Sequence, residues 1–286
     1  MPQSIIVNGK QRFLGFRPTS PQTIARMHRH GRIAFSHEHA PLVRAARPLA
    51  DWQESDCAHF WKHRKDQNGY SMCVGFSGSH AIDLCFAKEG FDVNTSPAAA
   101  YAPICGGSDN GASMGECLDA LQQYGVFLSG SDGIDDLDWK SAYRSKFWTN
   151  PGGALGKEAR AHRIVEAVFC SSLDDFLQGL QSGLWSGQFG MGVGRNFEPD
   201  ANGWMPKCDG AGINHALCAL GGMAKHPSTG NWGIQGGNSW GDWGPLNGVF
   251  WCEAEDWLDR DGQELWLVRS TTFPSGIAAQ RALEKR

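Results

Sequence analysis

A thiol, an imidazole and two carboxamides stand out in this chain of 286 residues, each within a short motif of its own. Cys73 ends the run Gln67-Asn68-Gly69-Tyr70-Ser71-Met72 and is followed by Val74-Gly75-Phe76-Ser77. His215 sits in Ile213-Asn214-His215-Ala216-Leu217, and Asn238 heads Asn238-Ser239-Trp240-Gly241-Asp242-Trp243-Gly244. Together they supply a nucleophile, a base, a group to orient the base and an amide donor for an oxyanion, which are the parts needed for acyl transfer through a thioester. A thiol attacks as thiolate, and an ordinary pKa of about 8.5 leaves only a few per cent ionised at neutral pH. Cys73 lies at the start of a predicted helix, where the dipole and the free N–H groups favour an anion. Taken singly, a buried cysteine is more often inert core, and a histidine in an apolar run is more often a satisfied core group.

Several elements must hold these groups. Cys73 to Glu89 reads as a helix, because Val74, Gly78, Ala81, Ile82, Cys85 and Phe86 fall on one face and Gly90 provides a stop. Gly75 and Gly78 lower its intrinsic propensity, so packing has to hold it. Ser113-Met114-Gly115-Glu116 is a capping box that opens a second helix, running through Tyr124 with Met114, Cys117, Leu118 and Leu121 inward. Ser172-Leu173-Asp174-Asp175 caps a third, carrying Phe176, Leu177 and Leu180 to Gly183. After about residue 184 the pattern changes to short apolar runs broken by glycine: 213–220, 232–234, 249–252 and 264–268. In the last, Leu265 and Leu267 alternate with Trp266 and Val268, so both faces of that strand are expected to be covered. Helices first and strands later imply an α+β arrangement, a helical lobe against a small antiparallel barrel or sheet.

Composition narrows the function classes. A net charge of −4 offers no whole-chain case for binding nucleic acid, and no run of apolar residues is long enough to span a membrane. Met1 to Gln11 has no long apolar stretch, so a secretory leader is not expected, and the nine cysteines, an odd number, read as mostly reduced core thiols of a cytoplasmic protein. Residues 1–47 stand apart: Lys10, Arg12, Arg17, Arg26, Arg29, Arg32, Arg44 and Arg47 face one acid, Glu38, among His28, His30, His37 and His39 and the prolines Pro18, Pro21 and Pro41. This reads as a basic arm of limited regular structure. It is expected either to wrap the body in solvent or to dock on an acidic partner or in the chain's own cleft. The body is placed at 48–270, with lobes of about 48–150 and 151–270, and a tail at 271–286. Cys57 with His59 and His63, and the His28–His39 cluster, have no regular metal-ligand spacing. Gly190-Met191-Gly192-Val193-Gly194 is not a dinucleotide fingerprint, and Asp132–Asp138 lacks calcium-loop positions. No cofactor or metal is expected.

From Asp51-Trp52 to about residue 270 the chain resembles the papain-like (C1) cysteine peptidases, on the words around Cys73, on Asn214-His215-Ala216, on the long Asn238-Ser239-Trp240-Gly241 motif, and on Tyr124-Gly125-Val126. His215 follows Cys73 by roughly 140 residues, within the window of about 130–150 for papain-type enzymes. The resemblance implies a two-lobe fold, a helical lobe and an antiparallel β-barrel-like lobe, with Cys73 and Gln67 on one wall of the cleft and His215 and Asn238 on the other. It implies peptide-bond cleavage in which His215 takes the thiol proton and later protonates the leaving amine. Asn238 would fix the imidazole, Trp240 would shield their hydrogen bond from water, and Gln67, six residues before Cys73, would share the oxyanion with the Cys73 N–H. Gly111 and Ala112 would pair with an extended substrate, while Met114, Ile213 and Asn214 would line an apolar pocket for the side chain two before the cut. The chain departs from the family pattern in three places. Tyr70 stands where secreted members have a half-cystine, Val74 replaces an aromatic residue, and Gly237 precedes Asn238 where a charge is common. These departures keep two alternatives open: a silent structural or assembly protein of a larger particle, and an amidase acting on cell-wall peptides.

Overall fold

The computed structural model describes residues 3–7, 10–36, 51–210, 212–260 and 263–270. The remaining part of the basic arm (Arg44, Arg47, His37, His39) and the 271–286 tail lie outside the described residues. The chain opens with a hairpin, β1 (Gln3–Val7) and β2 (Lys10–Leu14), then α1 (Pro21–Arg29) and a two-residue strand β3 (Ala34–Phe35). Helices follow: α2 (Cys73–Lys88), α3 (Pro97–Tyr101), α4 (Met114–Gln123), α5 (Trp139–Ser145) and α6 (Ala154–Ala161). Next come β4 (Glu166–Phe169), α7 (Leu173–Gln181), β5 (Ser186–Met191), β6 (His215–Lys225), β7 (Trp232–Gly237), β8 (Val249–Glu253), α8 (Ala254–Leu258) and β9 (Leu265–Arg269).

Over its described residues, 3–7 and 10–36, the arm is therefore not of limited regular structure: they form two paired strands, a helix and a third short strand. Ser20 caps α1 by accepting from Thr23 N, and Pro21 presets the first helical turn. The other caps form where the sequence places them. Ser113 Oγ accepts from Glu116 N at 3.3 Å and donates to the Glu116 carboxylate at 3.0 Å, and Ser172 Oγ accepts from Asp175 N at 3.2 Å.

Seven strands make one sheet in the order β3-β4-β9-β5-β6-β7-β8, antiparallel except for the β3–β4 pair. The sheet is open rather than barrel-like, because β3 and β8 end it without pairing to each other among the described residues. Side chains alternate across it. From β6, Ala216, Cys218 and Leu220 face the core around α2, while Leu217 and Ala219 face a second core with α7 and α8. From β9, Trp266 and Val268 take the first side and Leu265 and Leu267 the second. Both faces of that strand are buried, as its alternation requires.

The glycines of α2 set how close its neighbours come. A Cβ on Gly75 would lie 2.8 Å from the Tyr101 Cβ and 2.9 Å from the Pro97 carbonyl, and one on Gly78 would lie 2.7 Å from the Cys117 sulfur. The helix gives up propensity to let α3 and α4 press against it. All nine cysteines are free thiols. No helix among the described residues is long and apolar enough to cross a membrane.

Candidate active site

Cys73 is the first residue of α2, and two anchors hold the turn before it. The Asp109 carboxylate accepts from Ser71 N at 3.0 and 3.2 Å, and the Tyr101 hydroxyl donates to Asp109 at 3.3 Å while accepting from Gly111 N at 3.1 Å. One tyrosine thus ties the turn before Cys73 to the Gly111–Ala112 segment. The loop carrying Gln67 is pinned from below. Lys65 Nζ, buried, donates to Ser79 Oγ (2.6 Å), Asp83 Oδ2 (2.7 Å) and the Thr95 carbonyl (2.6 Å).

On the opposite wall, His215 begins β6 and Asn238 follows β7. The Nε2–H of His215 donates to Asn238 Oδ1 at 3.0 Å, which leaves Nδ1 as the unprotonated nitrogen, and that Nδ1 is buried without a hydrogen-bond partner. The Trp240 ring stacks on the imidazole at 5.1 Å and 30°, and Phe197 meets both rings edge-on. Gly237 makes room for this wall, since a Cβ there would come within 2.5 Å of the Trp61 indole.

The two walls meet through Gln67 and Ser239. Gln67 N donates to the Ser239 carbonyl (2.8 Å), and Ser239 Oγ donates to Gln67 Oε1 (2.6 Å). Cys73, Gln67, His215 and Asn238 are all essentially sealed from solvent. Burial pushes the Cys73 thiol up to about 11, against the N–H donors of Ala216 and Gly15. Burial pulls His215 down to about 4, with the positive charge of Arg12 acting the same way and the Asn238 hydrogen bond opposing. Both shifts favour the neutral thiol and the neutral imidazole.

The seal is the chain's own N-terminal segment. Arg12 lies against Asp66 and Trp240, and the Gln67 Nε2 amide donates to the Phe13 carbonyl at 2.8 Å and to the Tyr70 carbonyl at 2.9 Å. Gly15 O accepts from Ala112 N and Arg17 N donates to Ala112 O, both at 2.8 Å, so Phe16 pairs with Ala112 in parallel. Glycine is obligatory at this crossing: a Cβ on Gly15 would lie 1.8 Å from the Ser71 carbonyl oxygen, and one on Gly111 2.1 Å from the Gly15 oxygen.

Phe16 is buried in one cluster with Ala112, Met114 and Ala216, with Ile213 packed against it. Thr19 then donates its N–H and its hydroxyl (2.7 Å) to the buried carboxylate of Glu264. Asn214 takes a different part: its amide accepts from Val193 N (2.9 Å) and donates to Val193 O (3.1 Å). Phe13, Gly15, Phe16, Thr19, Asp66 and Glu264 are the site residues that sequence reading passed over. A glycine between two apolar residues in an otherwise basic segment, Leu14-Gly15-Phe16, was the available signal.

No protein-family model and no curated protein sequence matches the chain. Solved structures do. Xylellain, a cysteine protease from Xylella fastidiosa, is 17% identical, with 79% of this chain and 93% of that one covered and a TM-score of 0.57. Bromelain from Ananas comosus, in complex with the E64 inhibitor, is 15% identical over 77% and 99% with a TM-score of 0.55. Digestive procathepsin L 3 of Tenebrio molitor larval midgut is 11% identical over 87% and 89% with a TM-score of 0.54. This chain has the papain-like cysteine protease fold.

Proposed function

We propose that the protein is a cysteine peptidase held latent by its own residues 10–19. Cys73 attacks the scissile carbonyl, His215 moves the proton through Nδ1, Asn238 orients the ring, and Gln67 with the Cys73 N–H stabilises the oxyanion. One observation carries the reading: Nδ1 of His215 is unpartnered while its Nε2–H is spent on Asn238. That is the tautomer a base needs in order to accept a proton from a thiol.

Latency follows from the direction of the arm. A substrate enters with the residues before its cut along Gly111–Ala112. In the arm, the carbonyl on the Gln67 amide belongs to Phe13, and the residue beside Ala112, Phe16, comes after it in sequence. The arm therefore fills both sides of the centre in the reverse sense, which leaves it a poor substrate. Its departure would admit water, lower the cost of charge on both groups and allow the thiolate–imidazolium pair to form. The neutral, buried pair would also suit a silent structural protein of the same fold. Turnover separates the two readings. A full-length Phe16→Ala chain, with its arm loosened, should hydrolyse unstructured peptides, and adding Cys73→Ala should abolish that. Peptide turnover that survives Cys73→Ala refutes the mechanism; no turnover in Phe16→Ala supports the silent reading.

A further inference from the structure

Arg12 is seated in a place shaped for it. Its side chain is only 6% exposed, although it carries a full charge near the end of a surface hairpin. Nη1 donates to Asp66 Oδ1 at 2.7 Å and Nη2 to the Trp240 carbonyl at 3.3 Å, and the guanidinium carbon lies 5.5 Å from the centre of the Trp240 ring. A carboxylate, a carbonyl and an aromatic face meet one planar cation, the combination that a guanidinium satisfies and an ammonium satisfies less well. The receiving groups do not depend on the arm for their positions. Asp66 pairs with Trp240 across an isolated antiparallel bridge, Gly241 N donates to Lys65 O at 3.2 Å, and Asp66 Oδ1 also accepts from Asn68 N at 2.8 Å. Arg64 and Asp242, near Asp66 and Trp240 in sequence, are paired with each other at 3.2 Å.

Its position along the cleft tells what the place is for. Phe13, whose carbonyl sits on the Gln67 amide, directly follows Arg12, and Arg12 lies on the side away from Ala112. In a chain running the opposite way, the residue there is the one immediately after the scissile bond.

Building on the peptidase reading, we propose that Asp66 and Trp240 form a guanidinium subsite that selects arginine as the first residue of the leaving peptide, and that Arg12 occupies this subsite in the latent chain. Asp66 is the specificity-determining residue, since neutral side chains gain nothing from it and acidic ones are repelled. The half-exposed carboxylate limits the effect to about tenfold, the usual scale for one charge-assisted hydrogen bond in a partly wet site.

The test uses the full-length chain carrying Arg12→Ala and Phe16→Ala, which empties the subsite and loosens the arm. Peptides that differ only in the residue after the cut are compared by kcat/KM. Arginine should exceed leucine about tenfold and lysine by less, with glutamate lowest. Adding Asp66→Asn should bring the arginine-to-leucine ratio close to one, and Asp66→Lys should place glutamate above arginine, an inversion that a merely structural aspartate would not give. Cys73-dependent hydrolysis with equal rates for arginine, leucine and glutamate overturns the subsite and leaves the peptidase reading standing. Absence of Cys73-dependent hydrolysis overturns the peptidase reading itself. The subsite is then judged on the same chain bearing Cys73→Ala, by titrating arginine amide against leucine amide while following the Trp240 indole N–H signal. Equal affinity for the two amides refutes the subsite there as well.

Discussion

Replacing Phe16 by alanine should open the cleft without unfolding the body. Phe16 is 7% exposed and belongs to the cluster of Ala112, Met114 and Ala216, so its ring is one of the apolar anchors, with Leu14, of the segment lying across Cys73. Loss of a buried phenyl ring removes about 3 kcal/mol of burial free energy. The two backbone bonds to Ala112 stay available to the variant. Since 1.4 kcal/mol corresponds to a factor of ten, the population with an open arm should rise roughly a hundredfold. Alkylation by iodoacetamide at pH 7, located by peptide mass spectrometry, reads that population at the Cys73 sulfur. The wild-type chain should label at Cys73 very slowly, because the thiol is sealed and neutral; Phe16→Ala should label there about a hundred times faster. Buried thiols elsewhere, such as Cys117 and Cys218, should keep their rates and so report on global unfolding. An unchanged Cys73 rate in Phe16→Ala, or equal acceleration at every buried thiol, would refute the argument that this segment gates the site.

Other outcomes follow from the same geometry. Gln67→Ala in the loosened chain should lower kcat about a hundredfold with little change in KM, the scale of losing one oxyanion donor of about 3 kcal/mol; a pure KM effect would count against that role. Lys65→Ala should lower thermal stability by about 3–5 kcal/mol in a melting experiment, because it strands the buried Asp83 carboxylate beneath the Gln67 loop; a shift under about 1 kcal/mol would contradict this. Gly237→Leu should displace either Trp61 or Asn238, seen as a lost His215–Asn238 hydrogen bond in the imidazole NMR spectrum. Acid should weaken the closed arm. His215 is held near 4 in the sealed site against an ordinary value of about 6.5, so the open state takes up a proton first as pH falls. The contribution is full above pH 6.5, is lost between about 6.5 and 4, and totals on the order of 3 kcal/mol. Amide exchange of residues 12–19, corrected for intrinsic rates, should therefore accelerate from pH 7 to pH 4.5; equal protection at both values would contradict the sign.

The parts of this site that sequence could reveal are those written locally. Cys73, His215 and Asn238 each carry neighbours that single them out as candidates, and the alternation of Leu265 to Val268 requires a strand covered on both faces whatever the rest of the chain does. The caps at Ser113 and Ser172 are likewise decided within four residues. What escaped reading is tertiary. Nothing near Arg12 names Asp66, more than fifty residues later, as its partner, and nothing near Gly15 announces the Ser71 carbonyl against which only a glycine fits. A segment rich in arginine and proline looks solvated by composition, yet Arg12, Arg26 and Arg32 each find an acid on the body. The barrel-like lobe was an expectation from resemblance. Closure depends on which strands reach the sheet edges, and one edge here is β3, a pair of residues supplied by the arm.

The most direct measurement is a rapid-quench experiment on the full-length Phe16→Ala chain with a peptide ester, followed by intact-mass and fragment analysis. The account predicts a transient acyl mass on Cys73, formed and discharged at rates consistent with turnover, and lost in His215→Ala. Hydrolysis that proceeds with no acyl group ever detected on Cys73, or with the acyl group on another residue, would contradict it.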